Sequence, residues 1–245
     1  MITLDPLLPC SSICMEFYQR YWLPLDSDFH YEKYPPAILF LDEFTDVSDY
    51  IAKISYNKRY GYRKCLKLGY FVEQFNWQSF IGDIVAINTS KEIRAGGKMK
   101  PSYLETVEEK GGYEIEWKTA PKIVCFKHFS ADFGVFHEDL GHKQGEIEVD
   151  KRLLAYITVI VLGEYAMYSM IIGHGNCLKD EIMTLLHIKV FEFLKESTPV
   201  KYLEYHTFIS GEKTPKGKYG LTDWKQYFLF RPEPCKWKYS RDHKF

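Results

Sequence analysis

Residues 153–194 read LLAYITVIVLGEYAMYSMIIGHGNCLKDEIMTLLHIKVFEFL. Two apolar runs of strand composition, 153–162 and 165–172, are parted only by Gly163-Glu164. Runs this rich in β-branched and aromatic residues make central strands with both faces covered. Gly173-His174-Gly175-Asn176 follows, and then a helical pattern over 180–196 with Ile182, Leu185, Leu186, Val190, Phe191 and Leu194 on one stripe. A strand that ends in a glycine-flanked turn and feeds a helix N-terminus directs several N–H groups at one spot, which suits a pyrophosphate or another anion. Asn176 is expected as the cap of that helix. The segment predicts the middle of a mixed α/β sheet with a ligand loop at one strand end.

With 245 residues, 46% of them hydrophobic and 27% charged, the chain can bury a substantial core. Its formal charge of −1 creates no global field that would recruit nucleic acid or an anionic membrane. The start, MITLDPLLPCSSICMEF, has neither a basic n-region nor a long apolar run, so the expectation is a cytoplasmic protein without a membrane partner. The six cysteines, at 10, 14, 65, 125, 177 and 235, lack the spacing of a zinc knuckle and read as reduced thiols. His137 and His142, with Glu138 and Asp139 between them, also fit no common zinc pattern, and no metal is expected.

Residues 1–36 have poor periodicity and read as an irregular N-terminal arm. Residues 37–121 read as an N-terminal lobe and 122–245 as a C-terminal lobe continuous with it. In the first lobe the expected elements are a strand at 37–41, a helix over 46–67, a strand at 70–75 and a helix at 79–87. In the second, strands are expected at 122–127, 133–137, 153–162, 165–172 and 202–209. A glycine- and lysine-rich loop at 211–220 and a helix at 221–228 precede an edge strand at 231–237. The fold class is α/β, a mixed and mostly antiparallel sheet flanked by helices.

Three segments in this order carry a resemblance. They are Gly134-Val135-Phe136 with Leu154-Ala155-Tyr156-Ile157, then Ile172-Gly173-His174-Gly175-Asn176, and last the stretch from Leu221 through Trp224-Lys225 to Arg231-Pro232. Together they resemble the GNAT acyltransferase superfamily, closest to the branch shared with the FemAB-like aminoacyl transferases. The final motif resembles the family's terminal helix, Lys, aromatic, Gly-Phe-x-Pro pattern, with Leu229 where glycine is usual. The cofactor loop keeps only Gly173-x-Gly175 of the family pattern.

The resemblance implies an N-acyltransferase that moves an acyl group from acetyl-CoA or another acyl-CoA to a small-molecule or protein amine. Ile172, Gly173, His174, Gly175 and Asn176 would hold the donor, and Asn88, Ser90 and Arg94 the acceptor. Glu164, Tyr168 and His206 are the candidate catalytic groups. Glu164 has an apolar context that would raise its pKa, although a residue beside Gly163 also suits a solvated turn. Tyr168 lies on the strand entering the loop, and His206 on the next strand, beside the donor arm.

Two further readings stand beside this one. The depleted loop and a basic helix face, Lys58, Arg59, Arg63, Lys64 and Lys67 with Tyr56, Tyr60 and Tyr62, suit an aminoacyl-tRNA donor or a nucleic-acid target. A binding module that has kept the fold and lost catalysis is the third.

Overall fold

A computed structural model describes residues 2–5, 35–94, 97–113, 120–208 and 218–237. Its centre is a seven-stranded sheet. The strands are β1 (Pro36–Phe40), β2 (Phe71–Gln74), β3 (His128–Glu138), β4 (Lys151–Leu162), β5 (Tyr165–Gly173), β6 (Tyr202–Thr207) and β7 (Arg231–Pro232). They lie in the order β7-β1-β6-β5-β4-β3-β2. Every pair is antiparallel except β5 and β6, which run parallel. The mixed, mostly antiparallel α/β class read from the sequence is the class observed.

The helices are α1 (Val47–Lys53), α2 (Tyr56–Lys67), α3 (Ile81–Thr89), α4 (Ile182–Ser197) and α5 (Lys218–Tyr227). Helix α4 buries Leu185, Leu186, Ile188, Phe191 and Leu194 in the larger core, with α1, α2 and α5 beside it. Helix α3 buries Ile81, Ile84 and Ile87 against Phe136, Leu153 and Tyr156 on the other side of the sheet. The alternation of β4 divides its side chains between the two cores, with Ile157 in one and Tyr156 in the other.

Several elements depart from expectation, each for a local reason. The helix expected over 46–67 is two helices, because Ile54 leaves helical geometry, is almost fully buried and joins the core. Residues 122–127 are not a strand, and β3 begins only at His128. A 3-10 helix, Gly175–Asp180, precedes α4, whose cap is Glu181 in left-handed geometry (φ 65°) rather than the exposed Asn176. Leu229, standing where the resembled family has glycine, adopts φ 63°. That is the conformation a glycine would take there without strain. Of the N-terminal arm, Ile2–Leu4 pairs in parallel with Cys235–Trp237, while 6–34 lie outside the described residues, as do 209–217 of the lysine-rich loop.

Candidate active site

The parallel pair at the sheet centre is short. Tyr165, Ala166 and Met167 pair with Tyr202, Leu203 and Glu204, and there the pairing ends. Strand β5 continues along β4 as far as Gly173, with a register shift between Tyr168 and Met170. Strand β6 instead follows β1, with its own irregularity between Glu204 and Thr207, where His206 takes φ 48°. Two parallel strands that diverge in mid-sheet leave backbone groups without ladder partners. The ladder between them is open beyond Met167 and Glu204.

Lys225 enters this opening from α5. It is 2% exposed, yet its Nζ donates to the main-chain oxygen of Thr207 at 2.8 Å and otherwise lies 4.8 Å over the Tyr205 ring. Burial lowers its pKa to about 8. Across the parting, Glu204 accepts a 2.5 Å hydrogen bond from Tyr165, and burial raises its carboxyl above the usual range. Among the described residues, a buried ammonium with one carbonyl partner and a half-buried carboxyl with one phenol partner thus flank the point where β5 and β6 separate. Such groups are costly to a fold and common at sites of chemistry. The motif at 221–232 contained Lys225, but its position in a sequence did not single it out. The usable signal was one cation among Leu221, Trp224 and Phe228, apolar positions that the helix turns inward.

Beneath the opening, Tyr168, His187 and Tyr50 form a buried chain. The Tyr50 hydroxyl donates to the Phe228 carbonyl at 3.2 Å, so its oxygen accepts from His187 Nε2 at 2.7 Å. His187 Nδ1 then accepts from the Tyr168 hydroxyl at 2.7 Å. Burial drives the imidazole to about 3, so it is neutral in this chain. Trp224, Phe228 and Phe230 pack around its ring. Tyr168 is therefore a core residue that fixes α4 to β5, and its fully buried ring offers no hydroxyl to a ligand.

The loop after β5 lies at the same end of the sheet, and several of its polar groups are engaged, while His174 Nδ1 and Arg94 Nε are buried without a partner among the described residues. His174 N–H donates to Leu154 O at 2.7 Å and Gly175 N–H to Ser90 Oγ at 2.8 Å. Arg94 donates to Gly173 O at 2.8 Å, to Ile87 O at 2.6 Å and to Ser90 Oγ at 2.9 Å. The structure thus joins the expected donor loop to Ser90 and Arg94 of the expected acceptor cluster, while Asn88 bonds Tyr156. A Cβ on Gly173 would lie 2.5 Å from Met183 Sδ, and one on Gly175 2.9 Å from Ser90 O. These glycines admit the close approach of neighbouring protein atoms. Ile172 is buried against α3.

The N-terminus of α4, the expected anion site, carries acidic side chains that are paired within the protein. The Glu181 carboxylate accepts from Thr184 Oγ1 at 2.6 Å and pairs with Lys58 at 2.7 Å. Lys64 pairs with Asp180 at 2.9 Å. Two members of the basic helix face are therefore spent inside the protein.

Glu164 sits at the other end of β5 from the loop, in the turn that Gly163 makes with φ 65°. Its carboxylate pairs with Lys201 at 2.5 Å. Nine residues of strand place it roughly 30 Å from Gly173, at ~3.3 Å per residue. His206 is exposed beside the opening. Among the described residues no group of three or more His, Cys, Asp or Glu side chains is placed to hold a metal. His142, one of the two histidines weighed as ligands, instead bonds the buried Asp83 at 3.0 Å.

The split sheet is the observation that decides the architecture. The fold is GNAT-like. FemX has a similar structure at TM-score 0.57 and 11% identity, over 80% of this chain and 58% of FemX. The C-terminal domain of a putative lysylphosphatidylglycerol synthetase from Agrobacterium fabrum matches at TM-score 0.49 and 14% identity, over 82% of this chain and 58% of that one. A tandem GNAT protein from the clavulanic acid biosynthesis pathway matches at 0.40 and 15%, over 82% and 51%. This chain thus spans little more than half the length of these GNAT-fold neighbours. No family model matches the sequence, and no curated protein does. Among the described residues no helix is long and apolar enough to cross a membrane.

Proposed function

We propose that this protein transfers an acyl group to an amine in the cleft where β5 and β6 separate. The carrying observation is Lys225, a buried cation with one backbone partner at the parting of two parallel strands. Its remaining N–H groups can meet the oxygen of a carbonyl under attack, where charge develops in the transition state. Glu204, with its raised pKa, is the group suited to take the proton that the amine gives up. It replaces Glu164, which lies at the far end of the strand, and the buried Tyr168.

Of the two donor classes, an aminoacyl ester suits the site better than acyl-CoA. A pyrophosphate needs free N–H groups at the loop and at the start of α4. Here Ser90 Oγ and Leu154 O already take the N–H groups of Gly175 and His174, and the Glu181 carboxylate puts negative charge at the start of α4. The resemblance to the FemAB-like aminoacyl transferases agrees with a donor that carries no such group.

The test offers purified protein a panel of amines with either aminoacyl-tRNA or acetyl-CoA, and follows product by mass spectrometry. Transfer from aminoacyl-tRNA that disappears in Lys225→Met is the expected result. Turnover with acetyl-CoA alone would overturn the donor assignment, and turnover unaffected by Lys225→Met would overturn the site.

A further inference from the structure

On the α3 side of the sheet lies a pocket of about 250 Å³, between α3, β4, β5 and the segment around Ser102 and Tyr103. Trp77 and Tyr156 form its aromatic wall, edge to face at 5.0 Å between ring centroids. Met170, one residue beyond the irregular point of β5, lies at its side towards the cleft. The size is just below the ~300 Å³ where pockets for whole ligands begin. It suits one ring or one amide-bearing group rather than a cofactor.

Asn88 supplies its polarity. The residue is 1% exposed and lines the pocket. Its Oδ1 accepts the Tyr156 hydroxyl at 2.6 Å. That orientation follows from the phenol, whose buried hydrogen has no other acceptor among the described residues, so the amide must turn its oxygen towards it. The Nδ2 N–H pair then remains, with no partner among the described residues. An amide this deeply buried with two idle donors stands ready for an acceptor from outside. Lys110 at the rim is matched by Glu105 at 3.1 Å and donates to Ser102 O at 2.7 Å, so the pocket carries no net charge. Its chemistry is aromatic walls, hydrogen-bond donors and neutrality.

We infer that this pocket is a subsite for a neutral, planar, carbonyl-bearing group, a carboxamide or a lactam ring, on the amine acceptor. A group seated there lies on the face of the sheet opposite α4 and α5. The acceptor would thus approach from one side while Lys225 holds the carbonyl from the other. The role as acceptor subsite rests on the transfer reading above; occupancy of the pocket does not.

The experiment titrates benzamide into ¹⁵N-labelled protein and follows the side-chain amide resonances of Asn88, with benzoate and toluene as matched probes. Benzamide should shift those resonances saturably. Toluene, which lacks the acceptor, and benzoate, which brings an unmatched charge, should each bind at least tenfold more weakly. Asn88→Asp keeps an acceptor for Tyr156 and removes the donors, and should weaken benzamide at least tenfold. Trp77→Ala leaves the Asn88–Tyr156 bond in place and should weaken it comparably, so the result does not hang on one variant folding. No saturable shift, or toluene binding as tightly as benzamide, would overturn the assignment. Benzamide binding in a protein that transfers nothing would leave the pocket standing and remove the transferase reading.

Discussion

Two regions at one end of the sheet differ in how their polar groups are satisfied. Around Gly173–Asn176, Arg94 and Ser90 bond the loop at Gly173 O and Gly175 N–H, and only His174 Nδ1 and Arg94 Nε stay buried without a partner among the described residues. A short distance away, Lys225 is buried and Glu204 half-buried, each with one hydrogen-bonding partner among the described residues. The first region has the sequence of a ligand loop and the bonding of a structural joint. The second was inconspicuous in the sequence and has the bonding of a site. A polar group kept in the interior at a cost points to function more directly than a motif whose groups have bonded one another.

The largest effect expected on stability comes from His187, which ties the cleft floor together. Its folded-state pKa of about 3 lies below the 6.5 of an unfolded histidine, so between those values the unfolded chain binds the extra proton. Stability should therefore rise with pH from about 3 to 6.5 and level off above, by on the order of 4 kcal/mol from this group. His187→Phe should remove that dependence and lower stability by ~2–4 kcal/mol, since two buried phenols lose their partner. Urea denaturation from pH 4 to 7.5 checks both. A flat wild-type profile would mean that the chain Tyr168–His187–Tyr50 is not as described.

Lys225 is expected to trade stability for activity. Its pKa of about 8, against 10.5 unfolded, means that the unfolded chain holds the extra proton between those values, so stability rises with pH across that window. Lys225→Met should keep or raise the Tm at pH 7 and cut transfer by about 10²-fold or more. Wild-type transfer should fall as pH rises above 8. A variant that melts lower and still transfers would make Lys225 structural and erase the contrast between the two regions.

Glu181→Gly tests the acidic start of α4. The left-handed backbone suits glycine, while the pair with Lys58 is lost, so stability should change by less than ~1 kcal/mol. The variant should bind pyrophosphate measurably by calorimetry where the wild type does not. Equal binding in both would show that the N-terminus of α4 is open after all. The smallest effect is expected from Glu164→Gln, under ~0.5 kcal/mol and without change in transfer, because its pair with Lys201 is partly solvated. A large loss of transfer would return Glu164 to the catalytic candidates.

Much of the fold was legible because it rests on local pattern. The runs at β4 and β5, the stripe on α4 and the Gly163 turn each follow from residue type and period. The departures arose where tertiary contact outweighs pattern, as when Ile54 leaves the helix to reach the core. Leu229 shows the mixed case: the resemblance marks a glycine position, and the backbone there is left-handed although leucine occupies it. The candidate site was legible only in part. Ser90 and Arg94 do gather with the Gly173 loop, but as partners for one another, while Asn88 bonds Tyr156 instead, and spacing cannot distinguish such bonding from readiness for a ligand.

By itself the sequence determined most of the strands and helices, the mixed α/β class and the end of the sheet at which the loop would lie, since those depend on periodicity and turn chemistry within a few residues. The tertiary structure alone decided that β5 and β6 part after Met167 and Glu204, that Lys225 reaches Thr207 O there, and that Glu181 pairs with Lys58 at the start of α4. Those outcomes depend on which polar groups find partners when segments far apart in the chain pack together. That competition has no local signature.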